Sequence, residues 1–164
     1  NFNLNPGELL DIANRVIYDS SQGKIMMTFF VAVIDFSEHT ITFASAAHNP
    51  PWLFSPADNG SFKMSSLVAT GQRLGESRNA PTYESKNINF QAQDTLFFYT
   101  DGLLEGKNLE GVQYGKKQTR KILETAMGMQ PAEVINTIMT DFLTHNEGKT
   151  LDDDVTLAVA RLLQ

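Results

Sequence analysis

Two junctions between apolar and acidic sequence constrain this chain most. The run Thr95-Leu96-Phe97-Phe98-Tyr99-Thr100 stops abruptly on Asp101-Gly102-Leu103-Leu104-Glu105. Later, Asp152-Asp153-Asp154 opens a second run, Val155-Thr156-Leu157-Ala158-Val159-Ala160. Short apolar runs bounded in this way read as buried strands. A carboxylate closing one strand and another opening a second can meet at one rim of a sheet, which builds an oxygen-rich site for a hard cation on rigid elements. Each junction also has a plainer reading. Asp-Gly commonly closes a strand at a turn, and consecutive aspartates occupy solvated loops. In the functional reading, Asp101 is a strand-end ligand, Gly102 lets the backbone approach an ion, and Mg²⁺ or Mn²⁺ relieves the repulsion within the aspartate triplet. The residues alone leave both readings open.

The rest of the chain supplies elements around these junctions. Asn5-Pro6-Gly7-Glu8 has the residues of a capping box and predicts a helix to about Asp19, with Leu9, Leu10, Ala13, Val16 and Ile17 on its apolar face. Met27 to Phe36 is apolar at almost every position and predicts a strand covered on both faces. Thr40 to Ala47 is its return strand across Ser37-Glu38-His39. Trp52 to Phe54 and Ser61 to Ser65 flank a strong turn. Val68 to Pro81 reads as irregular, Tyr83 to Phe90 as a polar edge strand, and Leu103 to Tyr114 as mostly loop. Helices are predicted over Gly115–Met127 and from Pro131 to Gly148, the latter striped by Val134, Ile135, Ile138, Met139, Phe142 and Leu143. Val155 to Leu162 is the last strand. Segregated strands and helices predict an α+β fold, and strands buried on two sides predict a sandwich of sheets with helices outside. The 164 residues suit a single domain.

Several chemistries are excluded. The chain has no cysteine, so disulfides, thiolate zinc sites and a cysteine nucleophile are absent, in keeping with a cytoplasmic setting. A net charge of −6 argues against nucleic-acid or anionic-membrane surfaces, and no run approaches a bilayer span. No serine stands in a nucleophile elbow, and no glycine loop has the spacing of a nucleotide cradle. His48 reads as a structural hydrogen-bonder. Lys116-Lys117 and Arg120-Lys121 read as a solvated helix face, with a phosphoprotein-docking patch as the alternative. Asn1 rather than Met opens the sequence, as expected of a piece of a longer protein.

Taken together, these motifs resemble bacterial PPM-type (PP2C-like) serine/threonine phosphatases of the SpoIIE and RsbU kind. Ala44-Ser45-Ala46-Ala47-His48-Asn49-Pro50-Pro51 is similar to the family's A-G-H-x-P-P segment, with Ala47 where glycine is usual. Gly71-Gln72-Arg73-Leu74-Gly75 resembles its G-x-P-L-G loop, with Arg73 replacing proline. Asp94 to Glu105 is similar to its G-D-x-L-x-x-Y-T-D-G-x-x-E block, Tyr114-Gly115 to its F-G, and Asp153-Asp154-Val155-Thr156-Leu157 to its D-D-x-T-L ending.

The resemblance implies a PP2C-like αββα sandwich of antiparallel sheets flanked by helices. It also implies hydrolysis of a phosphoserine or phosphothreonine by metal-activated water at a two-metal site of Mn²⁺ or Mg²⁺. By position it implies Asp101 and Asp153 as metal ligands, Asp154 as the alternative to Asp153, and the Gly102 backbone as a further donor. Implied partners are a phosphorylated regulatory protein of the anti-sigma-factor-antagonist (STAS) type and an upstream sensor or receiver domain, with no contact to nucleic acid or membrane.

One departure limits the resemblance: the family's earlier G-D-x-S/T-G-H/K-G motif does not occur in residues 1–164. The expectation is therefore the C-terminal portion of one PPM-type domain, incomplete at its N-terminus, with a partial metal site and weak or no activity of its own. An unpaired sheet edge and exposed apolar surface should follow, and with them a possible homodimer. The competing expectations are a non-catalytic interaction module and a plain α+β domain whose aspartates are turns.

Overall fold

A computed structural model describes residues 5–79 and 82–163. The elements run α1 (Pro6–Ser21), β1 (Phe29–Asp35), β2 (Thr40–Ala46), β3 (Trp52–Pro56), β4 (Phe62–Ser66), β5 (Lys86–Asn89), β6 (Thr95–Tyr99), α2 (Asp101–Glu105), α3 (Gly115–Ala126), α4 (Pro131–Asn146) and β7 (Leu157–Arg161). The expected irregular stretch from Val68 ends at Ala80 and Pro81, which lie outside the described residues, as do the ends of the expected 1–164 domain. The chain divides into two units, Asn1–Pro50 with Leu67–Gln91, and Pro51–Ser66 with Ala92–Gln164.

In the first unit, an antiparallel sheet of order β1-β2-β5 carries α1. The capping box forms as expected: Asn5 Oδ1 accepts from the Glu8 amide at 3.0 Å, and Glu8 Oε2 accepts from the Asn5 amide at 3.0 Å, a cap worth about 1 kcal/mol. The buried face of α1 differs from the expected stripe. Leu10 is fully buried with Ala13 and Ile17 beside it, whereas Leu9 and Val16 are exposed. Asn14 takes the inward position because both ends of its amide are satisfied. Its Nδ2 donates to the Ser77 carbonyl at 2.9 Å, and its Oδ1 accepts from the Gly75 amide at 2.8 Å.

The strand expected to be covered on both faces is not. Among the described residues β1 pairs with β2, from Phe29↔Ala46 to Asp35↔Thr40, and none of its residues is buried. Among the described strands it stands last in the order β1-β2-β5, and Phe29 and Val33 expose apolar surface along it. In the turn that follows, Asp35 Oδ1 accepts from the Ser37 amide and hydroxyl and from the Glu38 amide at 2.6–3.1 Å, which holds its carboxyl below the ordinary range.

In the second unit, a sheet of order β4-β3-β6-β7 is covered by helices α2 to α4. Its core joins Trp52, Phe54, Phe97 and Tyr99 of the sheet to Leu103, Leu123, Val134, Ile138 and Phe142 of the helices. Phe97 and Tyr99 stack and Trp52 packs tilted against both, with ring centroids 5.1–6.1 Å apart, an arrangement that adds about 0.5–1.5 kcal/mol per pair beyond burial. On α4, Val134, Ile138 and Phe142 are buried as the stripe predicts, but Leu143 is exposed. The segment Leu103 to Tyr114, read as mostly loop, begins inside a helix instead. Leu103 and Leu104 are both buried, and this burial draws Asp101 to Glu105 into a helical turn against the core. Among the described residues, no helix is long and apolar enough to cross a membrane.

Candidate functional site

The two acidic junctions meet because β6 and β7 pair antiparallel. Their register runs from Thr95↔Arg161 to Tyr99↔Leu157, so the end of β6 lies beside the start of β7. The ladder continues past both strands, with the Thr100 amide donating to the Thr156 carbonyl at 3.1 Å. The Thr100 hydroxyl then clamps the acidic loop. It donates to the Asp154 carbonyl at 3.2 Å and accepts from the Thr156 amide at 3.0 Å.

Asp101 is exposed and opens α2 rather than closing β6. Its charge at a helix start is favourable toward the backbone amides. Gly102 is buried directly beneath the opposite loop. A Cβ placed on it would collide with the Asp154 carbonyl oxygen and stand 3.5 Å from that of Asp153. The close approach of the two segments therefore depends on glycine at this position. Asp153 and Asp154 are both exposed, and Asp153 Oδ1 accepts from the Asp154 amide at 2.8 Å. Asp152 is paired with Lys149 at 3.2 Å.

A cleft of about 240 Å³ opens here, lined by Gly102, Glu105, Gly106, Lys107, Asp152 and Asp153 among others. Glu105 and Lys107 were not foreseen as lining residues, nor Thr100 as the clamp. With α2 recognised as helical, the i, i+4 spacing of Asp101 and Glu105 would have placed Glu105 on the same face. Among the described residues, no three or more acidic or histidine side chains converge as a metal site. The donor set does not fit a two-cation centre, which needs several carboxylate oxygens converging on each ion. Two juxtaposed aspartates and main-chain carbonyls suit at most a single hard cation that keeps much of its water.

Burial beneath the rim raises the phenol of Tyr99, 2 % exposed, to about 12. Tyr114 is raised further, first by burial and then by donating to Asp141 Oδ2 at 2.7 Å. In the first unit, His48 has the structural character expected of it. Its Nδ1 lies 2.8 Å from the Asn49 carbonyl, and its ring sits 6.5 Å from that of Phe30. Ala47, just before it, has φ 55°.

Comparison with known proteins gives these features a family. The model of the family described as Stage II sporulation protein E (SpoIIE) matches residues 1–163. The phosphoserine phosphatase RsbU of Bacillus subtilis is 28 % identical over 158 residues, which is 96 % of this chain and 45 % of RsbU. The solved SiaA-PP2C domain of Pseudomonas aeruginosa superposes with a TM-score of 0.83 at 15 % identity, covering 96 % of this chain and 61 % of that one. A structure of the RsbU and RsbW domains of a Mycobacterium tuberculosis protein gives a TM-score of 0.71 at 24 % identity, covering 98 % and 43 %. The chain thus spans less than half of its curated relative, and its fold is the mixed α+β arrangement of PP2C-like phosphatase domains. By its match over nearly every residue, the chain belongs to the SpoIIE family.

Proposed function

We propose that residues 1–164 form the C-terminal portion of one PPM-type domain in a metal-dependent protein serine/threonine phosphatase. In this reading Asp101 and Asp153 are ligands to Mn²⁺ or Mg²⁺, Asp154 is the adjacent alternative, and the Gly102 backbone contributes to the same rim. The observation that carries the reading is the β6–β7 ladder, which brings Asp101 and the Asp153 loop together across the Thr100 clamp. A cation held there would lower the pKa of bound water and neutralise phosphoryl charge. The substrate is a phosphorylated regulatory protein of the anti-sigma-factor-antagonist type, and the setting is cytoplasmic, downstream of a sensor or receiver domain. A homodimer belongs to the same reading, since Phe29 and Val33 of β1 expose apolar surface.

With a donor set short of two cations, the 164-residue chain itself is expected to show little or no turnover. The test is hydrolysis of a phosphoserine peptide with Mn²⁺, alongside calorimetric titration of Mn²⁺ into wild type and Asp101→Asn. Weak Mn²⁺ binding that Asp101→Asn removes supports the reading. Robust turnover by this chain, abolished by Asp101→Asn, would refute the expected inactivity.

The same short donor set favours a second reading, a phosphatase-like module that binds a regulator without turning it over. That reading predicts no measurable Mn²⁺ binding.

A further inference from the structure

Helix α3 carries its charges in a pattern that works against the helix. Lys116, Lys117, Arg120 and Lys121 place four of the chain's 13 cationic residues in one short stretch. Lys116 with Arg120 and Lys117 with Lys121 are like-charge pairs one turn apart, which weakens a helix. The first two also stand in the first turn, where the helix end is already positive and no acidic residue offsets them. Arg120 finds relief in Glu124 at 2.7 Å. Asp141, on the facing α4, is occupied by the Tyr114 hydroxyl and Gln118 Nε2 at 2.7 and 2.9 Å. Among the described residues, the ion pairs within 4.0 Å leave out Lys116, Lys117 and Lys121.

Lys117, Arg120 and Lys121 border an open groove of about 690 Å³, lined also by Tyr114, Gln118 and Glu124. The groove lies close to the cleft of the acidic rim. The Tyr114 amide donates to the Gly106 carbonyl at 2.8 Å, and Gly106 lines that cleft beside Asp153. A local arrangement that weakens its own helix, next to a candidate site, is where function rather than folding explains the residues.

We propose that the α3 groove docks an acidic segment of the partner protein, holding a phosphoprotein beside the rim of Asp101 and Asp153. The inference rests on the phosphatase reading for the partner's identity, but the groove's preference for acidic peptide is independent of it. Charge complementarity argues for a peptide rather than a long polyanion. Lys117, Arg120 and Lys121 meet in one groove beside a single acid, Glu124, whereas the whole chain carries −6 and repels an extended nucleic acid or an anionic bilayer. Such a groove would act mainly on encounter rate and orientation, and its effect would weaken with salt.

The experiment is fluorescence anisotropy with a labelled Asp/Glu-rich peptide of about a dozen residues, bearing one phosphoserine, titrated with the 164-residue chain at low salt. Lys117→Glu with Lys121→Glu is expected to weaken binding about tenfold. Lys24→Glu with Lys63→Glu, the same charge change placed elsewhere, is expected to weaken it less than about twofold. The α3 pair should melt close to wild type, since Glu at position 117 is favoured in the first turn while positions 117 and 121 remain a like-charge pair. Equal losses from the two double variants would overturn the proposal, as would tighter binding of duplex DNA or of phosphatidylserine vesicles than of the peptide. Peptide binding lost only with the α3 pair, together with a silent Mn²⁺ titration, would uphold the groove and sink the phosphatase reading. Mn²⁺ binding with no peptide binding would do the reverse.

Discussion

Ala47 offers the sharpest test of whether backbone strain is placed where the structure puts it. It is an L-residue at φ 55°, in the left-handed region, and it is exposed. That conformation costs a residue with a Cβ about 1–2 kcal/mol. Ala47→Gly removes the Cβ without taking a methyl from the core. The opposing effect is glycine's greater freedom in the unfolded chain, about 0.5–1 kcal/mol. The difference leaves a net stabilisation of about 0–1.5 kcal/mol, centred near 0.75. For a chain of this length, each kcal/mol shifts the melting temperature by about 2–4 °C, so a rise of about 2–3 °C, and at most about 6 °C, is expected. The assay is thermal unfolding by circular dichroism, with reversibility checked by a second scan. Ala47→Val should move the other way, because a β-branched side chain is less tolerant of positive φ. Ala126→Gly should also lower stability, since Ala126 is fully buried in α3 and its φ is not positive. A fall in melting temperature for Ala47→Gly would refute the argument. It would mean that the Cβ is not strained, or that the hydrogen bond from the His48 amide to Ser45 Oγ at 3.2 Å depends on it. The family segment that Ala44 to Pro51 resembles has glycine at this position, so the substitution tests whether glycine there would be a backbone requirement.

Two further outcomes follow from the rim. Thr100→Val keeps the shape of the side chain but removes both hydroxyl hydrogen bonds to the Asp154–Thr156 segment, costing about 1–2 kcal/mol in this exposed setting. Amide exchange at Thr156 should accelerate, Thr100→Ser should restore it, and unchanged protection in Thr100→Val would discount the clamp. The second outcome concerns alkaline pH. Burial raises the Tyr99 phenol to about 12, above its unfolded value near 10. The stability linked to it is therefore fully present below pH ~10 and is lost as pH rises through ~12, a decline of about 2–3 kcal/mol. Chemical denaturation across that range should show a shallower decline in Tyr99→Phe, and an identical slope in the two proteins would count against a buried, protonated phenol.

Most of the second unit was legible because its signals are local. Pro131 and Gly148 bracket α4, and the aromatic run from Leu96 to Tyr99 makes an unambiguous buried strand. The rim was legible too, since strand ends bearing acids on both sides of a gap point to antiparallel pairing. What the sequence hid depends on tertiary context. β1 is as apolar as a central strand, yet its pairing leaves it at an edge, and periodicity has no way to count neighbours. Asn14 outcompetes Leu9 and Val16 for the inward face of α1 because two main-chain groups far along the chain, at Gly75 and Ser77, satisfy its amide. The helical turn at Asp101 was masked by its shortness: five residues carry too little pattern to be distinguished from a loop.

The interactions holding the rim also decide how cleanly it can be tested. Asp101 and the Asp153 loop are brought together by main-chain bonds of the β6–β7 ladder and by the Thr100 hydroxyl, and their spacing is set by the missing side chain of Gly102. Among the described residues, the carboxylate of Asp101 takes no part in that clamp, and that of Asp153 accepts from the amide that follows it in sequence. Replacing either aspartate with asparagine should therefore leave the scaffold standing while changing the charge and the oxygen donors it presents. Substitution at Thr100 or Gly102 should do the opposite, disturbing the scaffold while leaving both acids in the chain. If Asp101→Asn removes Mn²⁺ binding without lowering the melting temperature, while Thr100→Val loosens the loop and weakens binding only in part, the two roles separate as the geometry requires. A large loss of stability in Asp101→Asn would instead make that carboxylate a structural cap of α2, and the plain turn reading of the acidic junction would stand.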